Sequence, residues 1–253
     1  MPKKFIVGNW KMHNTISQSE TLIRDILALY QPHPAVELMV APPYVTLQTA
    51  ANLLKTTSIT LAAQNMCAKD EGAFTGEVSP PMLKELGCQS VIIGHSERRH
   101  LFGETDESIN EKICAALHHG LQPIFCVGER LEEREAGHTH SVIEHQLQAG
   151  LASLETKDLD SIIIAYEPVW AIGTGKAATV DQATEVHSAI RSTIATHWSI
   201  NAEQIRVLYG GSVTADNAQA LFQSPQINGA LIGKACLNSE SFVKIGQIAS
   251  LDS

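Results

Sequence analysis

Several features are scarce or missing from this 253-residue chain, and each removes a class of protein. No apolar run approaches the roughly 20 residues of a membrane-spanning helix. Met1 to Lys4 leads straight into a strand-like run without a signal-peptide pattern, so neither secretion nor membrane insertion is expected. The cysteines, Cys67, Cys88, Cys114, Cys126 and Cys236, form no CxxC pair. An odd, scattered set fits reduced thiols in the cytoplasm better than a disulfide or zinc framework, and no metal site is expected. Charged residues make up 18%, below the usual roughly 25%, which argues against the ion-pair networks of a hyperthermophile. The net charge of -9 disfavours nucleic acid and anionic membranes as partners. An anionic substrate would need a local positive site that overrides this field. No low-complexity block or Pro/Gly/Ser-rich linker divides the chain, so residues 1–253 are expected to form one domain.

What is present is alternation. Apolar residues reach 44%, enough for a full core. Short β-rich runs recur at 4–9, 36–41, 58–65, 90–95, 122–128, 161–167, 205–211 and 229–233, several of them apolar on both alternating faces, as in strands buried between layers. Helical patterns separate them. Residues 17–30 place Leu22, Ile26, Leu29 and Tyr30 near one stripe, and 107–120 place Ile109, Ile113 and Leu117 likewise, with Gly120 as a stop. The last helix, 239–249, opens on Ser239 as its expected cap. Eight strands alternating with helices predict a parallel sheet with right-handed crossovers. Closed on itself, that sheet is an α/β (β/α)₈ barrel, which typically needs about 250 residues. The doubly wound open sheet is the competitor, and no strand-GxGxxG-helix unit near the start favours it.

Such barrels place their active sites at the C-terminal ends of the strands. There the sequence gathers Asn9, Trp10 and Lys11 after the first run, His95, Ser96 and Glu97 after the fourth, Glu129 after the fifth, Glu167 after the sixth, Ser212 after the seventh, and Gly233 and Lys234 after the eighth. Taken singly, Lys11 is an ordinary solvated lysine, His95 a packed or surface histidine, Glu97 a structural ion-pair partner of Arg98 or Arg99, and Gly210-Gly211-Ser212 a common helix cap. The constellation carries the signal. Turns entering helices point N–H groups outward, which suits phosphate, and 209–213 and 232–236 occupy the positions where these barrels frequently bind it. One carboxylate base with neutral and cationic donors suits removal of a proton beside a carbonyl and stabilisation of an enediolate.

The motifs GNWKM (8–12), GHSERR (94–99), CVGE (126–129), AYEPVWAIGTGKAAT (165–179), YGGSV (209–213) and GALIG (229–233) resemble those of the triosephosphate isomerase family, in order, from Phe5 to Ala249. The resemblance implies interconversion of dihydroxyacetone phosphate and D-glyceraldehyde 3-phosphate in glycolysis and gluconeogenesis, with no metal or organic cofactor. It implies Glu167 as the base, His95 as the electrophile, Lys11 as the cation at the phosphate and enediolate, and Asn9 as a further donor. Glu97 would sit against Lys11, and Gly173, Ser212, Gly233 and Lys234 would give backbone N–H groups to the phosphate. A helix starting after Ser96 would aim its positive end at the His95 ring and disfavour imidazolium. Two positions depart from the family's pattern: Lys234 stands where a second Gly is common, and Cys236 where Ser is common.

Pro168-Val169-Trp170 and Lys176-Ala177-Ala178 read as hinges of a lid with Ile172 to Gly175 at its tip. The polar stretch 70–79 matches a family loop that plugs into a second subunit, which implies a homodimer with Thr75 near the partner's site. The rival readings are a Schiff-base aldolase using Lys11, a glycosidase pairing Glu97 with Glu167, and a catalytically dead phosphosugar-binding scaffold.

Overall fold

A computed structural model describes residues 3–172 and 177–251. Gly173 and the segment 173–176, hence most of the expected lid tip and the start of its second hinge, lie outside the described residues. Eight strands, β1 (Lys4–Asn9), β2 (Val36–Ala41), β3 (Thr60–Ala63), β4 (Ser90–Ile93), β5 (Gln122–Val127), β6 (Ile163–Tyr166), β7 (Arg206–Tyr209) and β8 (Gly229–Ile232), close into a parallel barrel in chain order, with helices between them. The ring shuts where Phe5 pairs with Gly229 and Gly8 with Ile232.

Side chains alternate across the pleat. Phe5, Val7, Met39, Ala62, Ile92, Ile124, Ile163 and Leu208 fill the interior in one apolar cluster. Their neighbours Ile6, Leu38, Val40, Val91, Ile93, Phe125 and Ile164 face the helices in a second, larger one. That double burial is why the strands read as apolar on both faces.

The strands stop one or two residues short of several sequence boundaries: β4 ends at Ile93, β6 at Tyr166 and β7 at Tyr209. Chemistry-bearing residues thus stand just beyond the sheet, in backbone free of the ladder. The first helix spans Ile16–Leu29 behind a Thr15 capping box and buries Leu22, Ile23 and Ile26, while Leu29 is exposed and Tyr30 is its C-cap. The helix expected over 107–120 runs Asp106–His118, with Gly120 at a φ of +66° where the chain leaves it. The last helix begins at Ser239, but its cap is Asn238, whose Oδ1 accepts the Ser241 N–H at 2.8 Å. After β7 the helix starts only at Ala218, rather than directly after the 209–213 turn as the sequence suggests. Asn217 holds the intervening turn, accepting from Thr214 N–H at 2.9 Å and donating to the Ser212 carbonyl at 3.0 Å.

One buried group makes the fold acid-sensitive. His187, on the helix Val180–Trp198, is fully buried, with Nδ1 3.2 Å from the Gln226 carbonyl, its ring edge-on to Tyr166, and Nε2 without a hydrogen-bond partner among the described residues. Burial pulls its pKa down to about 3. An unfolded-state histidine titrates near 6.5, so between these values the unfolded chain binds the extra proton. Stability is therefore full above about pH 6.5 and lost as pH falls toward the folded value, by about 1.4 kcal/mol per pH unit. Between pH 7 and 5, a His187→Gln variant should lose about 2 kcal/mol less stability than the parent in urea titrations. Equal losses would show that His187 does not set the slope.

Candidate active site

At the C-terminal ends of β1, β4 and β6, three polar groups converge. Glu167 follows β6 directly and is only 2% exposed. Its backbone N–H donates to the Val127 carbonyl of β5 at 2.8 Å, which fixes its Cα at the rim. The neighbouring strand makes room with glycine: a Cβ on Gly128 would lie 1.8 Å from the Glu167 carbonyl oxygen. The carboxylate reaches across the barrel mouth. Oε1 is 2.9 Å from His95 Nε2, and Oε2 accepts the Ser96 N–H at 2.8 Å.

His95 is the N-cap of the short helix Ser96–Leu101, and its Nδ1 accepts the Glu97 N–H at 3.2 Å. With Nδ1 an acceptor, the neutral ring carries its proton on Nε2 and donates it to Glu167. The helix start thus acts on the ring through a specific N–H. The expected depression of the His95 pKa is not what this arrangement gives. Burial pulls it down, but the Glu167 carboxylate, with Glu97 adding, outweighs burial and raises it above the ordinary value. The cause is local, because the carboxylate lies directly on the ring. Glu167 shows the complementary balance. Burial would raise its pKa, yet His95, the Ser96 N–H and Lys11 together hold it below the usual carboxylate value.

Lys11 sits two residues past β1 with a φ of +53°. Its N–H donates to Asn9 Oδ1 at 3.0 Å, and its Nζ is 2.7 Å from Glu97 Oε1. Asn9 is buried. A Cβ on Gly233 would lie 3.4 Å from Lys11 Cε, so the β8 turn adjoins the ammonium. Gly233 precedes a 3₁₀ turn, Lys234–Leu237, in which Lys234 is exposed and Cys236 buried, with burial pushing its thiol pKa up. Ser212 is exposed beyond β7. Asn9, Lys11, His95, Glu97 and Glu167 therefore form one chain of contacts, and Gly233 joins it through Lys11. Among the described residues, no hydrogen bond or ion pair joins Ser212 or the Lys234 side chain to it.

Two contributors, Ser96 and Glu129, are placed at the rim by the sequence but without a role there. The Ser96 N–H has no side-chain signature. Glu129 lies in the CVGE motif, yet its part emerges only in three dimensions. Fully buried, its Oε1 accepts from Trp170 Nε1 at 2.9 Å, Arg134 at 3.0 Å and the Tyr166 hydroxyl at 3.1 Å, while its carbonyl takes the Val169 N–H at 3.1 Å. It pins the first expected hinge, where Val169–Ala171 forms a 3₁₀ turn. On the far side, the Ala178 N–H donates to the Tyr209 hydroxyl at 3.3 Å. Among the described residues, no three His, Cys, Asp or Glu side chains are arranged to hold a metal ion, and no helix is long and apolar enough to cross a membrane.

Comparison with known proteins adds independent findings. The family described as triosephosphate isomerase matches residues 4–249. The triosephosphate isomerase of Geotalea uraniireducens (strain Rf4) is 49% identical over 246 residues, covering 97% of this chain and 98% of the relative. That of Citrifermentans bemidjiense is 50% identical over 246 residues, with the same coverage. That of Aquifex aeolicus is 48% identical over 243 residues, covering 96% of this chain and 98% of its own.

Proposed function

The chain belongs to the triosephosphate isomerase family and interconverts dihydroxyacetone phosphate and D-glyceraldehyde 3-phosphate, and we propose that Glu167, His95, Lys11, Asn9 and Glu97 carry out this reaction. The observation that carries the assignment is the buried carboxylate of Glu167 resting on His95 Nε2 and the Ser96 N–H.

In that position Glu167 is stabilised as an anion and is a weak base. Released from both donors while still buried, its pKa rises, because only desolvation remains strong. It then takes a proton from the carbon beside the substrate carbonyl, and the C–H electron pair moves toward the carbonyl oxygen. The His95 Nε2–H freed by the same movement donates to that oxygen and stabilises the enediolate. His95 then relays a proton from the hydroxyl oxygen of the intermediate to the former carbonyl oxygen, and Glu167 returns its proton to the former carbonyl carbon, which completes the isomerisation. Glu97 holds the Lys11 ammonium at the rim, where it meets the phosphate with backbone N–H groups of Gly173, Ser212, Gly233 and Lys234. Asn9 fixes the Lys11 backbone. No step calls for a metal or organic cofactor.

Lys11→Met tests the phosphate end. A charge-assisted hydrogen bond is worth about 1.5–3 kcal/mol, so competitive inhibition by inorganic phosphate should weaken roughly ten- to hundredfold. An unchanged inhibition constant would remove Lys11 from the site.

The working form is a homodimer joined through the 70–79 loop. What supports this is the exposed apolar side chains on segments after β1 to β4: Met12, Val45, Phe74, Met82, Leu101 and Phe102. An apolar set of this kind marks an interface. Deleting residues 72–77 should yield a folded, largely monomeric enzyme with kcat lowered by about tenfold or more. Sedimentation at micromolar concentration checks this, and a fully active monomer would sink it. The enzyme works in the cytoplasm, as its free cysteines fit a reducing compartment.

A further inference from the structure

We infer that Gln64 is a positioning residue for this reaction: its carboxamide clamps the Lys11 backbone in the conformation from which the ammonium reaches the substrate phosphate. The inference rests on the reading of Lys11 as the phosphate cation. Gln64 follows β3 immediately and is half-buried. Its Nε2 is 2.8 Å from the Lys11 carbonyl and 2.8 Å from the Ala41 carbonyl at the end of β2. A carboxamide nitrogen has two hydrogens, and these two acceptors use both. The Ala41 carbonyl also takes the Trp10 N–H at 3.1 Å. One side chain from β3 thereby ties the segment after β1 to the end of β2.

The tie matters because of where it acts. Lys11 has a φ of +53°, a region that residues with a Cβ rarely occupy. A backbone in such a state persists only where its surroundings over-determine it. Here the Asn9 amide oxygen takes the Lys11 N–H at 3.0 Å, Gln64 donates to its carbonyl, and Glu97 holds Nζ at 2.7 Å. Relaxation to negative φ would rotate the carbonyl off Gln64 and carry the side chain away from Glu97 and the Gly233 turn. Asn9 and Glu97 act on the N–H and the ammonium, while Gln64 acts on the carbonyl, the group whose direction distinguishes the two backbone states. A bare structural role would stabilise the barrel rim without affecting phosphate affinity.

The test is a double-mutant cycle read by phosphate binding, which needs no turnover. Gln64→Met keeps the side-chain length and removes both donors. In the parent background it should weaken inorganic phosphate binding about tenfold, measured by calorimetry. In the Lys11→Met background, with no ammonium to position, the same change should alter phosphate affinity less than about twofold. Equal losses in both backgrounds would overturn the positioning role and leave Lys11 as the phosphate cation. If Lys11→Met itself leaves phosphate affinity unchanged, the underlying reading falls and this inference with it. Gln64→Glu supplies a second route should Gln64→Met fail to fold. Protonated, its carboxyl keeps one O–H donor; ionised, it has none and faces two carbonyl oxygens. Its phosphate affinity relative to the parent should therefore fall as pH rises through the carboxyl's titration. A ratio flat with pH would overturn the inference.

Discussion

Glu167→Gln should lower kcat by at least about 10²–10⁴, the usual range for loss of a general base. The substitution is nearly isosteric and leaves the backbone N–H on the Val127 carbonyl, so the segment after β6 stays in place. An amide cannot accept the substrate proton at neutral pH. It also cannot satisfy both present partners, since the carboxylate accepts from His95 Nε2 and from the Ser96 N–H. An amide in either orientation sets an N–H against one of these donors, and one contact is lost. The His95 ring reports this directly. Its pKa is raised in the parent by the carboxylate against the opposing pull of burial, so in the variant burial prevails and the pKa falls. Ring ¹⁵N shifts from pH 5 to 8 should show the titration moving to lower pH. A kcat within tenfold of the parent would remove Glu167 as the base, and an unmoved His95 titration would show that the two side chains are not coupled.

The barrel was legible because its rules are local and repeated. Each strand is buried on both faces and reads as an apolar run, and each helix carries its own stripe and stop. The rim residues stood out for a related reason: polar groups such as Asn9, His95 and Glu167 interrupt apolar runs at the same phase of the repeat. Detail failed where the deciding partner is remote or belongs to the backbone. Ser239 looked like a cap, but the residue before it supplies the oxygen that bonds Ser241. The delayed helix after β7 follows from Asn217 bonding both Thr214 and Ser212. The His95 pKa could not be read from its own helix alone, because the dominant opposing charge comes from Glu167, 72 positions later. Glu129 drew no role because Arg134, Tyr166 and Trp170 meet it only once the barrel closes.

Gly128→Ala should cripple the enzyme from outside the chemistry. The added methyl would stand 1.8 Å from the Glu167 carbonyl oxygen and 2.7 Å from its carbonyl carbon. Those are backbone atoms, so no rotamer change relieves the overlap, and one of the two segments has to shift. The Gly128 segment is the harder one to move. Gln146 holds it from both sides, accepting its N–H at 2.8 Å and donating to its carbonyl at 3.1 Å. The residue after it is Glu129, buried and bonded to Arg134, Tyr166 and Trp170. Glu167 is held beside it by the N–H to Val127 and by its carboxylate contacts. The strain therefore falls on the peptide that carries the base, and the carboxylate moves relative to His95. A methyl forced into a packed site costs about 1–3 kcal/mol, while a displacement of about 1 Å at a reacting group costs about 10²-fold in rate. The expected variant is folded, less stable in urea titrations, and slower by about two orders of magnitude, with phosphate inhibition little changed because Lys11 lies on the opposite side of the site from β5. Parent-like kcat would show that the end of β5 yields freely and that the close approach of Gly128 to Glu167 does not set the position of the base.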